Sequence, residues 1–291
     1  MKIAVLLHGQ PRHLEQGAWW FKNKVFPQHF NEIEVDYFGA FWNDGTPDLR
    51  QRIEQTYNPV RYHIFNYEEY WQKFYNTVHP YHQNNDISEL LPNHIRHNVL
   101  CVNDLNNTSK FQKNFWGQFI SAGLVTNLTG NLSGEYDFVI RTRSDVAFKP
   151  MSEKMWVNTF NNMNTNPTFT DKVFADWLHI QNGRGLIGDF AFFAKPHVWY
   201  DFAKNMYNNC VNIATENCLL WYDETATPEG DTLFPHKTWT NLSVVSRTDW
   251  LSFHVVWPTP YASTLIRDDY NIQEETFDTL VEKFWVHQAT R

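Results

Sequence analysis

Residues Tyr136–Phe148 read YDFVIRTRSDVAF. An apolar core of Phe138, Val139 and Ile140 runs directly into Arg141, Thr142, Arg143, Ser144 and Asp145, after which the chain turns apolar again. Strands buried on both faces of an open α/β sheet have this form, and ligands of such sheets bind beyond the carboxyl ends of the strands. Two guanidinium groups and a carboxylate at a strand end are costly to bury unless they meet phosphate, a metal ion or one another. The segment therefore predicts an α/β fold and a site at its polar end.

The sequence before this strand supports the same class. Lys2–Leu7 (KIAVLL) reads as a buried first strand that ends in His8-Gly9-Gln10-Pro11-Arg12, with an amphipathic helix through Trp19, Trp20 and Phe21 to follow. Glu34–Phe41 is a second strand, followed by the loop Trp42-Asn43-Asp44-Gly45, and Arg61–Phe65 is a third. Between 66 and 99 the chain is polar, aromatic and rich in histidine, and it reads as short helices and loops. Lys110–Leu128 carries the clearest helical pattern, with Phe111, Phe115, Phe119, Ala122 and Val125 near one face.

After the central strand, Met155–Thr170 is rich in asparagine and reads as an exposed excursion. Asp189–Ala194 is a strand, Pro196–Tyr207 a helix, and Gly230–Trp239 a helix behind Pro228-Glu229. Ser252–Val256 is a late strand and Glu274–Val286 a final amphipathic helix. Alternating strands and helices predict a mostly parallel central sheet with helices on both faces. The irregular spacing later predicts a smaller mixed or antiparallel part, with residues 1–291 forming a single domain.

Composition narrows the function. The 291 residues are 42% hydrophobic, which permits a large core, and only 19% charged. A net charge of -8 argues against a general nucleic-acid binder, although local arginines can still grip a phosphate. No run reaches the length of a membrane span, and Ile3–Leu7 is too short for a secretory signal. Three scattered cysteines, Cys101, Cys210 and Cys218, form no disulfide framework or zinc motif. A cytoplasmic location is the expectation, which leaves the Asn-x-Ser/Thr sequons at Asn106, Asn107, Asn127, Asn131 and Asn241 silent.

The stretches Lys2–Arg12 (KIAVLLHGQPR), Val35–Trp42 (VDYFGAFW) and the aromatic helix before YDFVIRTRSD occur in a telling order. GDFAFFAKP and PEGDTLFPHKTW extend it. In these the chain resembles the GT-A fold nucleotide-sugar glycosyltransferases, in particular capsule- and lipopolysaccharide-associated transferases of bacteria and large viruses. The resemblance implies a Rossmann-like sheet and transfer of a sugar from a nucleoside-diphosphate sugar to a glycan or lipid-linked acceptor. It implies that the first βα loop and the loop after the second strand hold the nucleotide, and that an Asp-x-Asp element binds a divalent metal, Mn2+ or Mg2+. Asp145 takes the last acidic position of that element, but Arg143 stands where the first aspartate is usual.

Each candidate residue carries two readings. Asp145 is a metal ligand, while Arg141 and Arg143 either neutralise a diphosphate as planar donors or pair internally with Asp145. His8, Gly9, Gln10 and Arg12 either approach the nucleotide or form an ordinary strand-to-helix turn. Trp42 is a stacking platform or core filler. Asp36 and Asp44 are weaker candidates, and Asp44 equally caps its turn. Asp189, behind Gly183, Gly185 and Gly188, is placed to meet a sugar hydroxyl or simply to serve a turn. Glu229 is the candidate general base for an inverting transfer, with Asp231 beside it as a helix cap. His254 in SFHVV is a candidate metal ligand, with His287 a further one; either also fits a hydrogen-bonded core histidine. Two alternatives remain at this point, a catalytically inactive carbohydrate- or nucleotide-binding protein of the same fold, and a nucleotidyltransferase.

Overall fold

Successive βα units open the chain: β1 (Lys2–Gly9), α1 (Leu14–Trp20), β2 (Glu34–Trp42), α2 (Leu49–Tyr57) and β3 (Arg61–Phe65). Two longer helices, α3 (Tyr67–Gln83) and α4 (Lys110–Thr129), lead to β4 (Phe138–Thr142). Beyond it lie β5 (Val146–Phe148), α5 (Glu153–Thr165), β6 (Val173–Ala175), β7 (Leu178–Gln181), β8 (Arg184–Ile187) and β9 (Ala191–Ala194). The chain continues with α6 (Pro196–Ala203), α7 (Met206–Glu216), β10 (Trp250–Ser252), β11 (Ser263–Leu265) and α8 (Phe277–Ala289). The computed structural model describes residues 1–83, 110–176, 178–181, 184–187, 190–216, 250–252, 263–266 and 271–289.

Seven strands form the main sheet in the order β10-β6-β9-β4-β1-β2-β3. β1, β2, β3 and β4 are mutually parallel, and β10 is parallel to β6. Only β9, between β4 and β6, runs against its neighbours. The predicted mostly parallel α/β sheet is what the chain forms. Among the described residues the mixed part consists of β9, built into the main sheet, and of β11–β5 and β7–β8, two separate antiparallel pairs.

Both faces of the sheet are covered, which explains why β1 and β4 are apolar without alternation. Ile3, Val5 and Leu7 of β1 join Phe138 and Ile140 of β4 in one core cluster, together with Leu14, Ile53 and Trp156 from the helices. The intervening residues Ala4, Leu6 and Val139 face the other cluster, with Trp71, Phe74, Trp116, Phe119, Trp199 and Phe202. The period of two along each strand thus divides one hydrophobic run between two cores.

Three sequence expectations are corrected. Residues 155–170 are not an exposed excursion: most of them belong to α5, whose Trp156, Phe160 and Met163 are buried at helical spacing. Ser152 caps this helix by accepting a hydrogen bond from the Met155 N–H at 3.3 Å. The asparagines lie on the outer face and hide the apolar stripe from a composition reading. The region after Asn66 likewise opens with the 17-residue α3, which buries Tyr67, Trp71, Phe74, Tyr75 and Val78. The helix expected from Pro196 is divided into α6 and α7, and the expected helix at 230–239 lies outside the described residues.

Candidate functional site

The strand order places a topological switch between β1 and β4. From β1 the chain builds outward through β2 and β3 on one side, then returns to add β4 on the other. The crevice between the carboxyl ends of two such strands is where open α/β sheets bind ligands. In register, Leu6 faces Arg141 and Leu7 faces Thr142, so His8 and Gly9 leave β1 beside the departing Arg143, Ser144 and Asp145.

The two loops are fastened to each other. The Ser144 hydroxyl donates a 2.8 Å hydrogen bond to the Arg12 carbonyl. Helix α1 crosses so close to Ser144 that a Cβ on Gly17 would lie 1.8 Å from the Ser144 carbonyl oxygen. Gly9 turns the chain out of β1 at φ 93°, a conformation that favours glycine. The pair β5–β11 sits behind the second loop, where the Ile266 N–H donates to the Asp145 carbonyl at 2.8 Å.

Arg143 and Asp145 form a two-point ion pair, Nε to Oδ1 at 2.9 Å and Nη2 to Oδ2 at 2.6 Å. Asp145 is 2% exposed, whereas the side chain of Arg143 keeps 25%. The guanidinium therefore lies on the solvent side of the carboxylate. Of the two readings offered by RTRSD, internal pairing is the one seen for Arg143. Arg141 is fully buried, its guanidinium carbon 4.8 Å from the centroid of Phe192, its cross-strand neighbour on β9. Such a cation–π contact contributes up to ~2 kcal/mol when desolvated.

His8 is fully buried on the same face as Arg141. Its Nδ1 lies 2.9 Å from the Ser121 hydroxyl of α4. That hydroxyl also lies 2.6 Å from the Gly117 carbonyl, which can only accept. The Ser121 hydroxyl thus links a carbonyl that can only accept to an imidazole nitrogen whose role depends on the tautomer. The other ring nitrogen, Nε2, has no hydrogen-bond partner among the described residues. Burial, and then the charges of Arg141 and Arg143, hold the imidazole pKa well below its ordinary 6.5, so His8 is neutral.

The other predicted residues fare differently. Gln10 and Arg12 lie in the first loop, both partly buried, with the Gln10 carbonyl accepting from the Arg12 N–H at 2.8 Å. Trp42 reaches the same carboxyl edge, but its ring is stacked on Tyr67 at 4.2 Å and 7° and is buried against α4 at Gly117. It serves here as packing. Asp44 is exposed and accepts from the Thr46 N–H at 3.1 Å, the turn-capping reading. Asp36 belongs elsewhere: near the start of β2, at the opposite edge of the sheet, it meets Lys2 at 3.0 Å and the Tyr136 hydroxyl at 2.8 Å. Asp189, Glu229, Asp231 and His254 lie outside the described residues.

Sequence reading missed three residues. Ser121 and Ser144 are ordinary serines in sequence, and only their partners mark them. Asp176 had a readable signal, because Val173-Phe174-Ala175-Asp176 repeats the pattern of an apolar strand closing on a carboxylate. It ends β6 at the same carboxyl edge, nearly fully buried, and its Oδ2 accepts from the Ser263 hydroxyl at 3.1 Å.

Of the two candidate metal ligands, Asp145 is described and His254 is not. Among the described residues no group of three or more histidine, cysteine, aspartate or glutamate side chains comes together. Both oxygens of Asp145 are held by Arg143.

No protein-family model matches the chain, and no curated protein matches it. In structure the chain is similar to mouse xyloside xylosyltransferase 1 in its apo form, at 7% sequence identity and a TM-score of 0.42, over 87% of this chain and 85% of that one. It is also similar to an active-site mutant of LgtC, at 10% identity and a TM-score of 0.38, over 97% of this chain and 96% of that one. Neither likeness assigns a role to any residue here. No helix among the described residues is long and apolar enough to cross a membrane.

Proposed function

We propose that the chain is a glycosyltransferase that moves a sugar from a nucleoside-diphosphate sugar to a glycan or lipid-linked acceptor. One observation carries this reading. The crevice at the topological switch is bordered on one side by the His8-Gly9 turn and on the other by Arg141, Arg143 and Asp145, a strand end whose guanidinium groups are planar donors of the kind that suit an anion. The order of the sequence motifs, from KIAVLLHGQPR through YDFVIRTRSD to PEGDTLF, supports the same class.

The reaction makes two demands. The bond from the sugar C1 to the β-phosphate oxygen breaks, and its electron pair leaves on the nucleoside diphosphate, where donors must meet the growing charge. A bond forms between C1 and the acceptor oxygen, whose proton passes to a base. Arg143 is our choice for the first task and the Glu229 carboxylate for the second. The turn at His8, Gly9, Gln10 and Arg12 lies against the nucleotide in this reading, and Asp189 lies beside the sugar.

The test is a thermal-shift screen of the full chain against UDP-, GDP-, CDP- and dTDP-sugars, with and without Mn2+, joined to a sugar-nucleotide hydrolysis assay. A ligand at a hundred times its Kd stabilises by about 2.7 kcal/mol, which is readily seen. One nucleotide series should raise the melting temperature. If none does, and none is hydrolysed, the transferase reading fails. The Arg143–Asp145 pair also favours a second reading, a nucleotide-sugar-binding protein without turnover, and stabilisation without hydrolysis or transfer in the presence of acceptors would select it.

A further inference from the structure

The turn after β4 is held from behind by a closed ring of hydrogen bonds. At the end of β4 the Thr142 hydroxyl donates to the Phe190 carbonyl at 3.1 Å, just before β9. The next carbonyl, that of Ala191 opposite Thr142, accepts from the Asp176 N–H at 3.0 Å at the end of β6. The Asp176 carboxylate accepts in turn from the Ser263 hydroxyl at 3.1 Å, at the start of β11. Beyond β11 the Ile266 N–H donates to the Asp145 carbonyl at 2.8 Å, which returns the ring to the turn it began from. Thr142, Ala191, Asp176, Ser263, Ile266 and Asp145 are all buried.

The ring passes through the β5–β11 ribbon, three residues on each strand and separate from the main sheet. A two-stranded ribbon is at best marginally stable by itself, so this one depends on its anchors. Ser263 faces Phe148 at the end remote from Asp145, and both are fastened there. Ser263 is bonded to Asp176, and the Phe148 carbonyl accepts from the Trp20 indole N–H at 2.7 Å. The other end of the ribbon carries Asp145, whose carboxylate fixes the Arg143 guanidinium at two points. A hydroxyl-to-carboxylate bond is charge-assisted and stronger than one between neutral groups, which makes Asp176 the firm end of this chain of contacts.

We propose that Asp176 is a positioning residue: through Ser263 and the β5–β11 ribbon it fixes Asp145, and with it Arg143, at the mouth of the switch crevice. The proposal rests on the nucleotide-sugar reading above for the reaction that Arg143 serves. In this role Asp176 touches neither donor nor acceptor. A loosened ribbon lets Asp145 and Arg143 drift, and a drift of about 1 Å at a reacting centre often costs a hundredfold in rate.

Hydrogen–deuterium exchange and turnover, measured side by side on the full chain and on Asp176→Ala, Asp176→Asn and Ser263→Ala, test it. In the two alanine variants, exchange in peptides spanning Ser263–Ile266 should quicken roughly tenfold or more, while peptides from β1 and β2 stay within about twofold. Turnover of the nucleotide sugar selected by the thermal-shift screen should fall about ten- to a hundredfold in kcat, with KM changed by less than about threefold. Asp176→Asn keeps an acceptor for Ser263 and should bring both readouts most of the way back. Unchanged exchange at Ser263–Ile266, or a rise shared equally by the whole chain, overturns the proposal. So does a local rise with wild-type kcat, because the turn then needs no holding. Should Asp176→Ala not fold, Ser263→Ala carries the test. If the wild type turns over no nucleotide sugar, the transferase reading fails, and exchange alone then upholds or overturns the hold of Asp176 on Asp145.

Discussion

Replacing Gly17 by alanine tests the junction of the two loops, because local and tertiary effects have opposite signs there. In an exposed helix the change stabilises by about 1 kcal/mol, since alanine is the better helix former. Gly17 is not exposed, however. A Cβ at that position would sit 1.8 Å from the Ser144 carbonyl oxygen and 2.9 Å from its carbon, where real contacts essentially never fall below 3.0 Å. Both near atoms are backbone, so α1 and the Ser144 loop must part by about 1 Å. Overpacking of this kind costs about 1–3 kcal/mol, and backbone displacement puts this case at the upper end. The net expectation is a loss of about 1–2 kcal/mol, or a melting temperature lower by roughly 2–5 °C in a chain of this size. Ser144 lies between Arg143 and Asp145, so on the proposed reading sugar transfer should slow as well; misplacement by about 1 Å in a site is often worth a hundredfold in rate. Scanning fluorimetry and denaturant titration on the two proteins supply the numbers. A melting temperature equal to or above that of the wild type would mean that α1 does not press on Ser144, and the reasoning fails.

Three further expectations follow from other contacts. Phe160→Ala should cost about 3–5 kcal/mol in denaturant unfolding, because Phe160 is fully buried in α5; a loss under about 0.5 kcal/mol would restore the exposed-excursion reading of that segment. Ser144→Ala removes the hydrogen bond to the Arg12 carbonyl and should cost about 1 kcal/mol, and a variant as stable as the wild type would show that this contact contributes nothing. His8 governs a pH effect. Its folded pKa is depressed below the unfolded value, so the unfolded chain takes up the proton first as pH falls. The stability that neutral His8 confers is complete above about pH 6.5 and declines below it, at up to ~1.4 kcal/mol per pH unit. Stability curves between pH 7.5 and 5 should therefore be steeper for the wild type than for His8→Gln, and parallel curves would refute a buried, neutral histidine.

Much of the fold was legible because buried strands leave a strong local mark. KIAVLL, VDYFGAF and DFVIRT are apolar without alternation, and each forms a central strand of the predicted parallel set. Less legible were elements whose apolar residues are diluted by a polar outer face. Trp156, Phe160 and Met163 sit among asparagines, and Tyr67, Trp71 and Phe74 among glutamates and glutamines, so average polarity concealed a helical stripe in both. Short strands such as Val173–Ala175 were also missed, since their pairing comes from neighbours distant in sequence.

The candidate site divides in the same way. Sequence alone determined that a strand ends in RTRSD and that another ends in HGQPR, because continuous apolar runs must be buried and charged residues at their ends must find partners or leave the core. It could not determine that these ends meet, since adjacency of β1 and β4 depends on which sheet edge the chain returns to after β3. Nor could it determine that Arg143 pairs with Asp145. That pairing depends on distances of 2.9 and 2.6 Å set by Ser144, Gly17 and the β5–β11 pair. Composition and period report which surfaces must be buried. Only the packed chain brings together the groups that burial leaves in need of a partner.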